Sequence, residues 1–392
     1  MAPAERFDID VADETLDRIR DRVAAYRWFP APADAQTEWE YGMSTQVLKD
    51  LQAYWLEQYD WRAAEAELNR YPHFRIVLDD LPIHFVHVRG EHDGARPLLL
   101  THGWPGSVYE FWASIDRLTH PSAHGGQADE AFHVVIPSLP GYGWSGKPAS
   151  PFGQRATARL WDKLMREGLG YDRYLAQGGD WGGLVTSWLG YDHGAAQNKG
   201  GCVAIHLNMI GFRPTPATPQ TEEETRWVGR TQAAMQAEGS YFMQQATKPQ
   251  TLALALMDTP MGQAAWILEK FHGWSDLPDG DLFGVYTRDQ LLTNVMIYLV
   301  NDAIATSVWY YAALFREGGV GLPEGDRCET PTGFANFPGE KLYAPPPRSW
   351  CDRAYNIVHW SDMPRGGHFA AMEVPALFVE DVRRWASHVW TD

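Results

Sequence analysis

Gln177-Gly178-Gly179-Asp180-Trp181-Gly182-Gly183 is the stretch on which the reading of this 392-residue chain turns. Gly178 and Gly182 stand two positions to either side of Asp180, the spacing of a sharp strand-to-helix turn in which a Cβ at either flank would meet the crossing strand and helix. Tyr174-Leu175-Ala176 before it is an apolar run suited to a buried parallel strand, and Leu184-Val185-Thr186-Ser187-Trp188-Leu189 after it is a helix candidate. The turn therefore predicts an acidic side chain exposed at the C-terminal end of a strand. A serine there would serve acyl transfer, whereas an aspartate attacking an sp3 carbon leaves an ester whose carbonyl water can attack in a second step. On this stretch alone, an aspartate that merely caps the following helix is an equal alternative.

Working outward, the N-terminal flank is helical. Asp13 opens a helix with Leu16, Ile19 and Val23 on one face, a second runs from about Ser44 to Tyr59, and a third from Trp61 to Leu68. Phe74 to Leu78 and Ile83 to Val88 read as strands joined by a turn at Asp79-Asp80. Pro97 to Thr101 is a short buried strand ending in His102-Gly103-Trp104-Pro105-Gly106, and Phe132 to Ile136 is another, ending in Pro137-Ser138-Leu139-Pro140. A helix over 157–169 then leads into the Asp180 strand, which completes a βαβ alternation and predicts a mostly parallel sheet. After a strand at 201–207, residues 213 to 325 are helical: 222–237, 251–257, 262–271 and 288–315. The strand pattern resumes at Ala354 to His359, beyond a Pro-rich loop at Pro331 to Pro347, and a helix from Val374 to Trp390 closes the chain. A helical block that interrupts a βα alternation reads as an inserted cap.

Composition bounds the function. A hydrophobic content of 45% supports one large core with an insertion, and 18 Trp with 17 Tyr suit the walls of an apolar pocket with a few polar handles. Thirty-three Lys and Arg against 50 Asp and Glu give a net charge of −17, which repels phosphate backbones and anionic membranes, so neither nucleic acid nor a membrane is expected as a partner. Cys202, Cys328 and Cys351 form no CxxC pair, which predicts a reducing, cytoplasmic setting. The N-terminus lacks the apolar core of a signal peptide, and no run reaches the roughly 18 apolar residues of a membrane span.

Two motifs are discounted. Gly141-Tyr142-Gly143-Trp144-Ser145-Gly146 matches GxGxxG, but Pro140 and Pro148 flank it and leave no helix N-terminus to hold a pyrophosphate. His84 and His87 alternate on a strand without a third ligand at metal spacing, and a solvated strand face accounts for them. No cofactor and no metal are expected.

His368 sits in the glycine-loosened Arg365-Gly366-Gly367-His368-Phe369, just after the last strand, and Glu340 in the loop before that strand. The order acid nucleophile, carboxylate, histidine is that of α/β-hydrolases, where the carboxylate orients the imidazole and stabilises its charged form. Over nearly its whole length the chain resembles the microsomal-type epoxide hydrolases of that fold. The resemblance is carried by Tyr54-Trp55, Asp60-Trp61-Arg62, Leu68-Asn69, Tyr71-Pro72-His73-Phe74, Ile83-His84-Phe85, His102-Gly103-Trp104-Pro105-Gly106-Ser107, Pro137 through Gly143, Gly178 through Gly182, and Gly366-Gly367-His368-Phe369-Ala370-Ala371.

What the resemblance implies is specific. The fold would be a mostly parallel sheet with helices on both faces: an N-terminal segment at 1–72, a core at 73–212 and 326–392, and a helical cap at 213–325. Asp180 would be the nucleophile, His368 the general base and Glu340 its acidic partner. Tyr241 and Tyr311 would reach from the cap to the epoxide oxygen, with Tyr310 the alternative to Tyr311. The backbone N–H groups of Trp104 and Trp181 would form the oxyanion hole, with the Trp104-Pro105 bond cis. Substrates would be an apolar epoxide and water, giving a vicinal diol in detoxification or secondary metabolism; a homodimer is compatible with this reading. Where relatives carry Thr-Thr-Gly and Ser-Ser pairs, this chain has Val300-Asn301-Asp302-Ala303 and Thr306-Ser307, which predicts an altered cap wall. Haloalkane dehalogenation and non-catalytic ligand binding are the competing functions.

Overall fold

The computed structural model describes residues 3–32 and 39–391. The strands are β1 (Glu5–Phe7), β2 (His73–Leu78), β3 (Leu81–Val88), β4 (Arg96–Thr101), β5 (Phe132–Pro137), β6 (Tyr174–Gly178), β7 (Cys202–Leu207), β8 (Cys328–Asn336) and β9 (Tyr355–Asp362). They form one sheet in the order β1-β2-β3-β5-β4-β6-β7-β8-β9. From β5 to β9 every pairing is parallel, while β1, β2 and β3 run antiparallel at the edge. The β2–β3 hairpin closes through Asp79 and Asp80 at φ 46° and 63°, the two left-handed residues that a tight turn between right-twisted strands requires.

Three helices, α1 (Asp13–Ala24), α2 (Thr45–Glu57) and α3 (Trp61–Leu68), lie between β1 and β2 and bury Ile19 and Val23 of the expected first face together with Leu48, Leu51 and Trp55. Between strands, α5 (Gln154–Lys163) and α6 (Asp180–His193) pack together on the sheet. A second layer is made by α4 (Trp112–Thr119) and the closing helix α15 (Pro375–Val389). Six helices lie between β7 and β8: α7 (Glu222–Glu238), α8 (Ser240–Thr247), α9 (Pro249–Leu256), α10 (Pro260–Trp274), α11 (Arg288–Val300) and α12 (Ile304–Arg316). Two short helices, α13 (Arg348–Cys351) and α14 (Ala370–Glu373), complete the path. Cys202, Cys328 and Cys351 are buried and unpaired. Among the described residues no single helix is long and apolar enough to cross a membrane.

Four sequence expectations change. Residues 331–336 belong to β8 rather than to a Pro-rich loop. Pro331 falls at a register shift, where a missing N–H costs no ladder bond, and Gly333 is required because a Cβ there would lie 2.5 Å from the Trp385 ring. The helix expected over 288–315 is two helices bent by 86°. The break falls at Asn301-Asp302-Ala303, where Asp302 takes φ 47°, a conformation that Asp tolerates better than most residues. The helix expected over 157–169 starts earlier, and its last turn, Leu164–Gly168, widens to π geometry. His84 is not on a solvated face. It is fully buried, bonded through Nε2 to His73 Nδ1 (2.9 Å) and through Nδ1 to Ser138 Oγ (2.9 Å), while His73 reaches the Leu68 carbonyl (2.8 Å). Phe7 of β1, Trp144 and the Ser138–Ser145 loop close over His84, and burial holds both imidazoles below their ordinary value.

Residues 141–146 form a closed loop, with the Gly141 N–H donating to the Gly146 carbonyl, and α5 begins only at Gln154. The sequence of the sheet reverses direction around β4 and β6. The carboxyl ends of strands flanking such a point form the usual ligand crevice of open α/β sheets.

Candidate active site at the strand ends

β6 runs through Gly178 straight into α6, and the reversal is so tight that Asp180 takes φ 48°. The two flanking glycines are sterically required. A Cβ on Gly182 would lie 1.8 Å from the Thr101 carbonyl oxygen, and one on Gly178 would lie 2.2 Å from the Gly182 carbonyl. The left-handed Asp180 costs on the order of 1–3 kcal/mol, which the surrounding strands and helix offset. In return the carboxylate stands clear of the sheet at the N-terminus of a 14-residue helix, where the dipole favours negative charge.

β4 delivers the next group. The Trp104 N–H donates to Asp180 Oδ1 at 2.8 Å, which engages one carboxylate oxygen and leaves Oδ2 to face the site. Gly103 makes this approach possible, since a Cβ there would sit 2.3 Å from Asp180. The Trp104-Pro105 bond is cis, as expected. From α11, Asn294 Nδ2 donates to the Pro105 carbonyl (2.8 Å), and Tyr298 donates to the Gly106 carbonyl (2.7 Å). The Trp181 N–H lies in the first turn of α6, where backbone donors have no intrahelical acceptor.

His368 and Glu340 come from the loops after β9 and β8. His368 Nδ1 lies 2.6 Å from Glu340 Oε2, and a carboxylate acceptor there requires the proton on Nδ1 and leaves Nε2 as the basic atom. Nε2 faces Asp180 Oδ2 at 3.4 Å. The other Glu340 oxygen accepts the Leu342 and Tyr343 N–H groups, both at 3.0 Å. Burial opposes the imidazolium, but Glu340 and Asp180 outweigh it and hold His368 well above its ordinary value. Burial likewise opposes the Glu340 carboxylate, yet His368 and the two backbone donors keep it below the usual carboxylate range.

The helical block between β7 and β8 supplies two phenols. Tyr241 on α8 stacks on Trp104 with ring centres 5.5 Å apart, and Lys270 Nζ lies 4.8 Å from its ring centre. Tyr311 on α12 meets Trp181 edge-on at 4.6 Å and Trp104 at 5.8 Å. The two tyrosine rings are 6.0 Å apart. Both hydroxyls are buried, and after burial itself the Asp180 charge is among the influences that raise them well above the ordinary phenol value. Tyr310 is turned away: its hydroxyl donates to Thr157 Oγ1 at 2.8 Å, whereas that of Tyr311 makes no well-directed hydrogen bond. Of the two neighbours, it is Tyr311 whose ring meets Trp104 and Tyr241.

Asp180, His368, Glu340, Trp104, Trp181, Tyr241 and Tyr311 are thus brought to one place. Sequence reading missed Trp274, whose ring touches both His368 and Tyr241 at 5.0 Å, because a tryptophan at a helix end carries no spacing signal. It also missed Glu373, whose only signal was an acid five residues after His368.

With that geometry in place, similarity to known proteins bears on the reading. Residues 4–111 match the family model described as epoxide hydrolase N terminus, and residues 96–237 match that of the alpha/beta hydrolase fold. A relative from Stigmatella aurantiaca is 42% identical over 96% of this chain and 83% of its own length. Epoxide hydrolase 1 of Sus scrofa is 35% identical over 97% of this chain and 87% of its own. Among solved structures, Aspergillus niger epoxide hydrolase superposes with a TM-score of 0.85 at 30% identity, covering 100% of this chain and 97% of that one. Two independent matches thus span both the N-terminal segment and the sheet that carries Asp180, and the chain belongs to the microsomal-type epoxide hydrolases of the α/β-hydrolase fold.

Proposed function

We propose that this enzyme opens an apolar epoxide through a covalent ester on Asp180 and releases a vicinal diol. The observation that supports this most is the division of the Asp180 carboxylate. Oδ1 is engaged by the Trp104 N–H, while Oδ2 faces His368 Nε2, and the Tyr241 and Tyr311 hydroxyls lie close enough to feel the carboxylate's charge. In the first step Oδ2 attacks a ring carbon, and the C–O bond breaks as Tyr241 and Tyr311 hydrogen-bond the departing oxygen and one of them gives it a proton. A strained ether oxygen leaves poorly as a free alkoxide, so phenolic donors placed opposite the nucleophile suit it. Asp180 needs no base for this step, because a carboxylate is ionised near neutral pH.

In the second step His368 Nε2 takes a proton from water, and the hydroxide attacks the Asp180 ester carbonyl. Oδ1 carries the developing negative charge against the N–H groups of Trp104 and Trp181. Collapse breaks the bond to Oδ2, which takes the proton still carried by the incoming hydroxide and leaves as the second hydroxyl of the diol, so the water oxygen replaces it in the Asp180 carboxylate. The imidazolium proton and the phenolate then re-equilibrate. Glu340 keeps Nδ1 protonated and stabilises the imidazolium while it exists. Helices α7 to α12 act as the lid, and their aromatic rings favour an apolar substrate. The three unpaired cysteines support a reducing, cytoplasmic setting.

The test is His368→Gln given an epoxide. Intact-protein mass should rise by the full mass of the substrate and map to the peptide containing Asp180, since alkylation survives and hydrolysis does not. No adduct, with folding and substrate binding verified, would mean that the histidine acts before alkylation.

A further inference from the structure

The backbone around His368 is held by groups that the two-step chemistry leaves unused. Glu373, on α14, accepts three backbone N–H bonds at 2.8 Å each: Phe369 to Oε1, and Gly367 and Asp276 to Oε2. Gly367 and Phe369 are the two neighbours of His368, so one carboxylate brackets the imidazole on both sides. Asp276 belongs to the helical block, two residues beyond α10. Its side chain returns the contact by accepting the Gly366 N–H (2.8 Å), and the His368 N–H donates to the Trp274 carbonyl (3.1 Å). All four N–H groups from Gly366 to Phe369 are thus satisfied by Glu373 or by residues 274–276. The approach is close, for a Cβ on Gly367 would lie 2.6 Å from the Asp276 nitrogen. Trp274, in the same segment, packs on His368 and on Tyr241 at 5.0 Å each.

We infer that Glu373, with Asp276, is a positioning clamp that fixes the His368 loop to the end of α10 and so sets the hydrolytic half of the reaction. The chemistry follows from what each group touches. The Glu373 oxygens bond backbone N–H groups of the His368 loop and of Asp276, so alkylation should not depend on it. The direction of Nε2 does, because it is set by the peptide planes on either side of His368, and those planes are held by Glu373. Burial pushes the Glu373 carboxyl up to about 7, against the three backbone donors and the His368 charge, which favour the carboxylate that accepts from all three N–H groups at once. An amide in its place keeps one acceptor oxygen and sets an N–H against a donor.

The inference rests on His368 acting in hydrolysis, and the experiment separates the two. His368→Gln, Glu373→Gln and Asp276→Ala are each followed in a single turnover with one epoxide, reading ester formation by intact mass and diol release by quench. Glu373→Gln should slow ester hydrolysis by about 10-fold, within what sub-ångström misplacement of a base costs, and leave alkylation within about 2-fold. Asp276→Ala should do the same by about 3-fold, since one loop bond is lost and the Glu373 bonds stay. An adduct in His368→Gln with no selective hydrolytic defect in Glu373→Gln overturns the clamp. Equal slowing of both steps in Glu373→Gln overturns it too, marking a merely structural role. No adduct in His368→Gln overturns the underlying reading instead. If Glu373→Gln does not fold, Asp276→Ala decides: selective slowing supports the clamp, and unchanged hydrolysis sinks it.

Discussion

The site draws on two regions that hold their working groups in opposite ways. At the carboxyl edge of the sheet, Asp180, His368 and Glu340 are tied by charge-assisted bonds and backbone donors, and one of them sits on strained backbone. Across from them, Tyr241 and Tyr311 are held in the helical block by stacked and edge-on rings, with the Tyr311 hydroxyl free of a well-directed bond. The difference fits the division of work proposed above. A nucleophile and a base must be aimed and charged before substrate arrives, so their polar atoms are anchored. A proton donor must give its hydrogen to a ligand atom, so both rings are fixed and the Tyr311 hydroxyl is kept unspent, while that of Tyr241 meets Tyr343.

Removing the anchored nucleophile should have the largest effect. Asp180→Ala is expected to lower turnover by at least about 10⁴-fold while keeping the fold, as measured by diol formation beside circular dichroism. Residual turnover within 10-fold of the parent would move the nucleophile elsewhere. Next come the phenols. Tyr241→Phe and Tyr311→Phe should each slow alkylation by about 10²-fold with little change in melting temperature, because the packing rings remain. A loss confined to hydrolysis would place the tyrosines in the wrong step.

The electrostatics predict a smaller, directional effect. In the free enzyme, burial pulls His368 down but Glu340 and Asp180 outweigh it and hold the imidazole above its ordinary value. Esterification removes the Asp180 charge, and one of the raising influences goes with it. The base must be neutral, so ester hydrolysis should rise with pH through a midpoint lower than the one at which His368 titrates in the free enzyme. Single-turnover hydrolysis against pH, set beside an NMR titration of His368, checks this. An equal or higher midpoint in the ester would show that Asp180 does not influence the imidazole. The smallest effect belongs to Tyr310→Phe. Loss of its bond to Thr157 should cost about 1 kcal/mol of stability and leave alkylation within about 3-fold. A larger kinetic loss would mean that packing has assigned the wrong neighbour.

The same contrast explains what could be read from the chain. The strand-edge groups were legible because steric and chemical needs leave little choice of residue: Gly178 and Gly182 beside Asp180, Gly103 before Trp104, and Gly366 and Gly367 before His368. The helical block was less so. Tyr241 and Tyr311 came from resemblance, since a buried tyrosine on an apolar helix has the pattern of any core residue. The break at Asp302 was hidden by the continuous apolar pattern either side of it. β8 was hidden by Pro331 and by Gly333, which is small only because Trp385 packs against it. His84 looked like one half of an alternating polar face, and only Phe7 and the loop from Ser138 to Ser145 closing over it reveal it as buried. In each case the deciding contact comes from residues distant in sequence, so local pattern carries no trace of it.

The claim on which the rest depends is the ester on Asp180, and a single turnover in oxygen-labelled water tests it most directly. With enzyme in excess over epoxide, the account predicts an unlabelled diol and one labelled oxygen in the peptide containing Asp180, because the diol takes Oδ2 and water refills the carboxylate. Label in the first-turnover diol with none in Asp180 would show that water attacks the epoxide itself and would contradict the account.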